Sequence, residues 1–470
     1  MNIARNSAGF SSLELSPALL SNLESLGYHL MTAIQAQSLP LILERRDLIA
    51  QAKTGSGKTA AFGIGILNKL NPNLLAIQAL VLCPTRELAD QVAKELRRLA
   101  RFTDNIKVLS ICGGTPMGPQ LNSLEHGVHI VVGTPGRIRD HLGRGSLDLA
   151  RVHTLVLDEA DRMTDMGFYE EISGIVNACP SRRQTLLFSA TYPDDIRRAT
   201  APFLTRPVEV KVAAQHDASR IEQRFYAVTP VGRNAAVARL LNHFRPVSTL
   251  AFCNTKIHCR ELAAELRAHG FSALALYGDL EQRERDEILV QFASRGCSIL
   301  VATDVAARGL DIQTLDAVIN VDVSKDAEVH IHRIGRTGRG TRRGLALSLC
   351  APNERKWVGL IEAYQGGPAT WCELSELDAA AGGPLQPPMA TLCIMGGKKD
   401  KLRPGDILGA LTGEVGLAKE QIGKISMFEF VAYVALDRDI AERAAARLGS
   451  GTIKGRNFKM RFLGSARERS

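Results

Sequence analysis

The chain has 470 residues, 45% hydrophobic and 23% charged, enough for about three domains that each bury a core of their own. Its 58 Lys and Arg against 49 Asp and Glu leave a net charge of +9, which favours polyanionic partners without identifying one. Nine scattered cysteines with no Cys-x-x-Cys pair argue against a disulfide framework or structural zinc, and no apolar run is long enough for a leader or a membrane span, so a cytoplasmic, reducing location and no membrane partner are expected.

From about residue 35 to residue 350, short apolar runs alternate with longer helical patterns, the rhythm of βα units around a buried parallel sheet. Residues 80–83, 130–132, 155–157 and 186–188 are the expected strands of a first lobe. Between residues 205 and 230 the pattern breaks into polar and basic residues. A second series then begins with 250–252, 299–301 and 318–321, which places the lobe boundary near residue 210. Residues 379–388 lack a periodic face and hold enough Gly and Pro to block regular structure, as a tether would. The expected division is therefore 1–210 for a first nucleotide-binding domain and 211–375 for a second, then a linker over 376–390 and a small α/β module over 391–465.

The run Ala52-Lys53-Thr54-Gly55-Ser56-Gly57-Lys58-Thr59 follows a short apolar stretch at 48–50 and precedes a helix-like segment, the context of a phosphate-binding loop. Its glycines let backbone N–H groups turn toward phosphate, Lys58 supplies a point charge, and Thr59 is a magnesium ligand. Beyond the strand at 154–157 comes Asp158-Glu159-Ala160-Asp161, at the edge where open α/β sheets bind ligands. Asp158 is the second expected magnesium contact, and Glu159 the residue that polarises attacking water. ATP and Mg2+ are thus the expected substrate and cofactor. Far along the chain, in His332-Arg333-Ile334-Gly335-Arg336-Thr337-Gly338-Arg339, Arg336 and Arg339 reach a γ-phosphate only if the second lobe closes on the first, which would make hydrolysis depend on closure.

With these residues in hand, the chain resembles the DEAD-box RNA helicases over roughly residues 10–350. The resemblance also rests on Thr32 to Gln35 with Phe10 upstream, Pro84-Thr85-Arg86-Glu87-Leu88, Gly113-Gly114, Thr134-Pro135-Gly136-Arg137, Ser189-Ala190-Thr191, and the stretches 282–285 and 302–311. It implies two tandem RecA-like parallel-sheet domains and an RNA-stimulated ATP hydrolase that unwinds or remodels short duplexes. It further implies Gln35 as the adenine reader, Phe10 as the ring stacked on the base, Asp311 as a ribose contact, and His332 as a link to Ser189 and Thr191. RNA contacts follow at Arg86, Gly114, Thr134, Arg137, Gln282, Arg285 and Thr303, a set suited to gripping a sugar–phosphate backbone with little base reading. One departure stands out: Ala33 replaces the usual Pro after Thr32.

The excess of Lys and Arg over Asp and Glu in residues 391–463 supplies more than half of the chain's net charge, an electrostatic footprint for phosphate. Strand-like segments at 391–395, 426–436 and 458–463, with a helix-like segment at 439–448, point to an RRM-like module. The stretch 396–411 resembles the extra domain of the bacterial DbpA proteins. That resemblance implies a structured hairpin of large-subunit ribosomal RNA as partner and a place in ribosome assembly; nothing in the sequence requires more than a monomer. Lys398, Lys399, Lys401 and Arg403, with Lys454, Arg456, Lys459 and Arg461, are the candidate phosphate contacts. Two further functional classes stay in view. An ATP-gated RNA clamp that does not unwind is separated from a helicase by strand displacement, and a DNA-directed motor by comparing ATPase stimulation by RNA and by DNA.

Overall fold

The computed structural model describes residues 9–52, 55–212, 221–307, 315–338, 343–378 and 383–464. The chain separates into two compact units, one carrying a first sheet and the other a second and a third.

The first sheet is parallel and contains β1 (Leu48–Gln51), β2 (Ala79–Leu82), β3 (Val108–Ile111), β4 (Ile130–Gly133), β5 (Thr154–Asp158), β6 (Gln184–Ser189) and β7 (Val208–Lys211), in the order β3-β4-β2-β5-β6-β1-β7. β2, β4, β5 and β6 are buried along their whole length, because helices cover both faces of the sheet and leave the strand side chains no wet side. That is why these strands read as continuous apolar runs.

The second sheet repeats the plan with β8 (Ile221–Ala227), β9 (Thr249–Phe252), β10 (Ala273–Leu276), β11 (Ile299–Ala302), β12 (Ala317–Asn320), β13 (Gly344–Cys350) and β14 (Trp371–Cys372). Its order, β10-β11-β9-β12-β13-β8-β14, matches the first sheet strand for strand. The polar break expected at 205–230 needs correction, since it contains the whole of β7 and β8. β7 is an edge strand and β8 lies one from the edge; their exposed residues, Glu209 and Lys211 in β7 and Glu222 in β8, interrupt the apolar pattern that marks central strands.

A third, antiparallel sheet holds β15 (Met389–Ile394), β16 (Ile422–Met427), β17 (Ala432–Asp437) and β18 (Met460–Phe462), ordered β16-β17-β15-β18. The helices Pro404–Gly413 and Arg438–Ser450 pack with it into one core through Leu392, Ile394, Ile407, Leu411, Val434, Leu436 and Leu448. The result is an RRM-like βαββαβ unit. The run 426–436, read from sequence as one strand, is a hairpin: Phe428 and Val431 pair their backbones across a short turn.

The opposite face of this third sheet lies on the helix Gln282–Ala293 of the second-sheet domain. Arg461 pairs with Glu287 (2.8 Å), Ser294 Oγ meets Thr391 Oγ1 (2.8 Å), and Val290 packs with Cys393 and Tyr433. The connecting segment is anchored too. Gln386 Nε2 donates to Gly270 O (3.0 Å) and Arg438 Nε donates to Pro387 O (2.5 Å), so over its described residues the expected tether is pinned on both sides. Gly and Pro exclude regular structure here, but they do not exclude packing. Among the described residues, no helix is long and apolar enough to cross a membrane.

Candidate functional sites

The phosphate-loop residues lie between β1 and the helix Lys58–Lys69, whose first residue is Lys58 itself. Ala52 N–H donates to Ser189 O (3.0 Å) and thereby ties the start of the loop to the end of β6. Gly57 has φ 95°, and a Cβ there would lie 2.5 Å from Gln35 Nε2, so the position requires glycine twice over. Gly55 also takes a positive φ, while Lys53 and Thr54 lie outside the described residues. Lys58 is 6% exposed, yet its Nζ has no hydrogen-bond partner among the described residues, and neither has Ser56 Oγ nor Asp158 Oδ1. A buried ammonium and carboxylate oxygen left without hydrogen bonds cost on the order of several kcal/mol in lost hydration. An ammonium, a hydroxyl and a carboxylate oxygen are also the donor set that a triphosphate with a hard divalent cation calls for. With Thr59 in the first turn of the helix, these residues fit ATP and Mg2+.

Burial pushes Asp158 up to about 7, with Lys58 pulling it down and Glu159 adding to the rise. Burial also works to raise Asp161, but Lys58 and Arg162 outweigh it and hold that carboxyl below its ordinary value. Glu159 sits in the left-handed region (φ 55°, ψ 52°), unusual for a residue with a side chain, and pairs with Arg162 (2.5 Å). Asp161 Oδ2 accepts from both Thr191 N–H (3.1 Å) and Thr191 Oγ1 (3.0 Å), while Ser189 Oγ accepts Asp161 N–H (3.2 Å). Within this domain, then, Ser189 and Thr191 are tied to the acidic tetrad through Asp161. Sequence reasoning had assigned roles to Asp158 and Glu159 but none to Asp161 or Arg162.

Gln35 is 1% exposed and occupies the third position of the helix Ala33–Leu43, in a capping box with Thr32. Thr32 N–H donates to Gln35 Oε1 (2.8 Å), and Gln35 Nε2 donates to Gly57 O (3.1 Å), so this carboxamide braces the phosphate loop directly. The Thr-x-x-Gln spacing carried that signal. Ala33 takes the first helical position, where proline is favoured but any helix former serves, so this departure from the family pattern leaves the helix start intact. Phe10 is 3% exposed and meets Tyr28 edge to face at 6.1 Å, as part of the core.

Four of the expected RNA contacts lie at the C-terminal edge of the same sheet. Arg86 lies over the turn at Gly113 and Gly114: a Cβ on Gly114, whose φ is 70°, would fall 1.6 Å from the Arg86 guanidinium. Arg137 NH1 donates to Thr115 O (3.2 Å) just beyond that turn. Thr134 precedes the helix Pro135–Gly143 without using its side chain to cap it.

In the second-sheet domain, Arg285 NH2 donates to Ala306 O (2.8 Å), and Gln282 Nε2 to Asp286 Oδ1 (2.9 Å). Thr303 follows β11 and starts the helical turn that carries Asp304. His332 lies on the helix Ala327–Ile334, and Arg336 is buried just past it; Arg339 and Asp311 lie outside the described residues. Arg333, to which the sequence assigned nothing, grips Asp304 with two bonds (2.7 and 2.6 Å) and also donates to Asp322 O and Asn254 Oδ1. Cys253, His258 and Asp322 gather within metal-ligand reach, but Asp322 is already taken by Arg233 (2.8 Å), whose guanidinium excludes a cation.

On the third domain Lys398, Lys399, Lys401, Arg403, Lys454, Arg456 and Lys459 are all exposed. Lys454 Nζ donates to Lys401 O (3.0 Å), which joins two of the basic loops. Arg461 is the correction in this set: its alternation along β18 points it at Glu287 of the underlying helix, so it belongs to the joint between domains and not to a phosphate surface.

Comparison with known proteins agrees with this arrangement. Residues 32–199 match the DEAD/DEAH box helicase family, 232–341 the helicase conserved C-terminal domain, and 391–462 the DbpA RNA binding domain. The chain is 50% identical over 455 residues to the ATP-dependent RNA helicase DbpA of Escherichia coli (strain K12), covering 97% of this chain and 99% of that one. It is 44% identical over 354 residues to the DEAD-box ATP-dependent RNA helicase CshA of Bacillus subtilis (strain 168), covering 75% and 72%. The structure of S. cerevisiae Dbp5 bound to RNA and ADP BeF3 superposes with a TM-score of 0.71 at 30% identity, over 78% of this chain and 96% of that one.

Proposed function

This chain belongs to the DEAD-box ATP-dependent RNA helicases, and we propose that its third domain directs that activity to large-subunit (23S) ribosomal RNA, where it remodels short duplexes during ribosome assembly in the cytoplasm, as a monomer. Lys58, Thr59, Asp158 and Glu159 are the residues that act on ATP in this reading. Bound Mg2+, held by Thr59 and Asp158, would supply charge neutralisation at the phosphates. Lys58 offsets phosphate charge, and Glu159, kept in place by Arg162, orients the attacking water. Gln35 couples the adenine end of the site to the phosphate loop through Gly57 O. Arg336 and Arg339 complete the hydrolytic set in this proposal, and Arg86, Gly114, Thr134 and Arg137 grip the RNA backbone.

The observation that carries the targeting is the match of residues 391–462 to the DbpA RNA binding domain, on a module whose basic side chains stand exposed. Such a surface binds phosphate with strong salt dependence. The test is ATPase stimulation by total RNA, ribosomal RNA and ribosomal fragments, for the full chain and for a chain ending at Asp378. The full chain should prefer one large-subunit fragment, and the shortened chain should respond weakly and without preference. Full preference in the shortened chain would overturn the targeting role.

A further inference from the structure

Gln120, in the helix Met117–Glu125, is 6% exposed and uses both ends of its carboxamide. Nε2 donates to Cys112 O (3.0 Å) and Thr115 Oγ1 (2.7 Å), the residues on either side of Gly113 and Gly114. Oε1 faces Arg137 NH1 (3.2 Å) and His141 Nε2 (3.0 Å). A guanidinium only donates, so the amide oxygen must lie toward Arg137 and the amide nitrogen toward the turn. His141 is fully buried one helical turn beyond Arg137, on the same face of the helix Pro135–Gly143, and its Nδ1 lies 2.9 Å from Ser146 Oγ. With Gln120 Oε1 as acceptor, His141 Nε2 is the nitrogen that donates.

We infer that Gln120 and His141 are positioning residues for the RNA grip, a buried relay that fixes Arg137 and the Gly113–Gly114 turn in one geometry. This rests on the reading that Arg137 and Gly114 hold the RNA backbone. Arg137 has a long stem with many rotamers, and a guanidinium that must be ordered on binding loses that freedom at the expense of affinity. Bonds from Arg137 to Thr115 O and Gln120 Oε1 order it beforehand, and the Nε2 bonds of Gln120 hold the turn that Arg86 covers. His141 in turn keeps Gln120 from rotating its amide. Burial, then the neighbouring Arg137, lowers the readiness of His141 to take a second proton, in keeping with a neutral ring that donates from one nitrogen only.

The experiment uses the full chain, with bulk ribosomal RNA as the stimulating ligand, and reads the half-saturating RNA concentration, the turnover at saturating RNA, the KM for ATP and the melting temperature. Gln120→Leu should raise the half-saturating RNA concentration about tenfold and leave saturated turnover and the KM for ATP within about twofold, a loss of binding without a loss of chemistry. His141→Gln, which places an amide nitrogen where Nε2 stands, should stay near wild type. His141→Asn, which reproduces Nδ1 instead, should behave like Gln120→Leu. These two variants remain informative if Gln120→Leu folds poorly. Equal RNA affinity in the two His141 variants would overturn the inference, as would a fall in saturated turnover at unchanged RNA affinity. Arg137→Ala separates the two layers. If it leaves RNA affinity unchanged, the grip reading itself fails; if it weakens RNA while a well-folded Gln120→Leu does not, only the positioning role falls.

Discussion

The two parallel sheets share one strand order, and their equivalent edges end very differently. β1 and β8 are each followed by a helix whose first residue is a cation, Lys58 in one and Arg233 in the other. The register of β5 on β2 and of β12 on β9 sets Thr154 equivalent to Ala317, and hence Glu159 to Asp322. In the second sheet Arg233 donates to Val321 O (2.6 Å), Asp322 (2.8 Å) and Glu354 (2.6 Å), and Asp322 Oδ2 takes Asn254 N–H (2.8 Å). In the first sheet, Lys58 Nζ and Asp158 Oδ1 have no partner among the described residues. One edge is closed by an internal ion-pair network and the other is left wanting a ligand. Buried polar groups are almost always paired, so the unpaired set is where the substrate belongs.

The largest expected effect breaks the open edge. Lys58→Ala should lower ATP turnover by at least about 10²-fold, since its ammonium makes no hydrogen bond among the described residues and is left to offset the charge of the bound nucleotide. Its melting temperature should change little, because the deleted ammonium breaks no hydrogen bond among the described residues, while Asp158 and Asp161 lose a neighbouring positive charge. The mirror-image substitution, Arg233→Met, should do the reverse. Leaving Asp322 and Glu354 buried without their guanidinium is expected to cost about 3–5 kcal/mol in urea unfolding, with ATP still bound wherever the protein is folded.

A third test sharpens what an unpaired group means. His330 is 1% exposed, stacks on Phe225 (5.8 Å, 24°), and has no hydrogen bond to either ring nitrogen among the described residues. An imidazole can simply stay neutral, and burial, with Arg333 nearby, pulls its pKa down to about 4 from 6.5. The unfolded chain therefore binds this proton first. The stability His330 contributes is complete above about pH 6.5 and is lost as pH falls toward 4, at no more than about 1.4 kcal/mol per pH unit. Urea midpoints at pH 7 and pH 5 should differ less in His330→Phe than in the parent.

The smallest effect belongs to the joint under the third sheet. Arg461 and Glu287 are each partly exposed, so Glu287→Gln should cost only about 0.5–1 kcal/mol and leave the half-saturating RNA concentration unchanged. A large loss of RNA affinity would return Arg461 to the phosphate surface.

Much of this was legible in the residues. The phosphate loop, the acidic tetrad and the central strands read clearly because buried parallel strands and phosphate-binding turns restrict composition severely. β7 and β8 were hidden because strands at or near a sheet edge tolerate polar residues, and the β16–β17 hairpin because Phe428 and Val431 keep its turn apolar. Pairing partners were the harder part. Arg162, Asp161, Arg333 and the Gln120–His141 pair act through side chains whose directions follow from tertiary packing, although Thr32-x-x-Gln35 and the four-residue step from Arg137 to His141 left local traces. The anchored linker was illegible for a related reason: Gly and Pro report what backbone conformation is excluded, and say nothing of what the segment packs against.

Equilibrium binding of a fluorescent ATP analogue, paired with turnover in the same samples, tests the contrast between the two edges most directly. Glu159→Gln should bind one nucleotide per chain while hydrolysis fails, and Lys58→Ala should bind none. Two bound nucleotides per chain, or undiminished turnover in Lys58→Ala, would contradict the account.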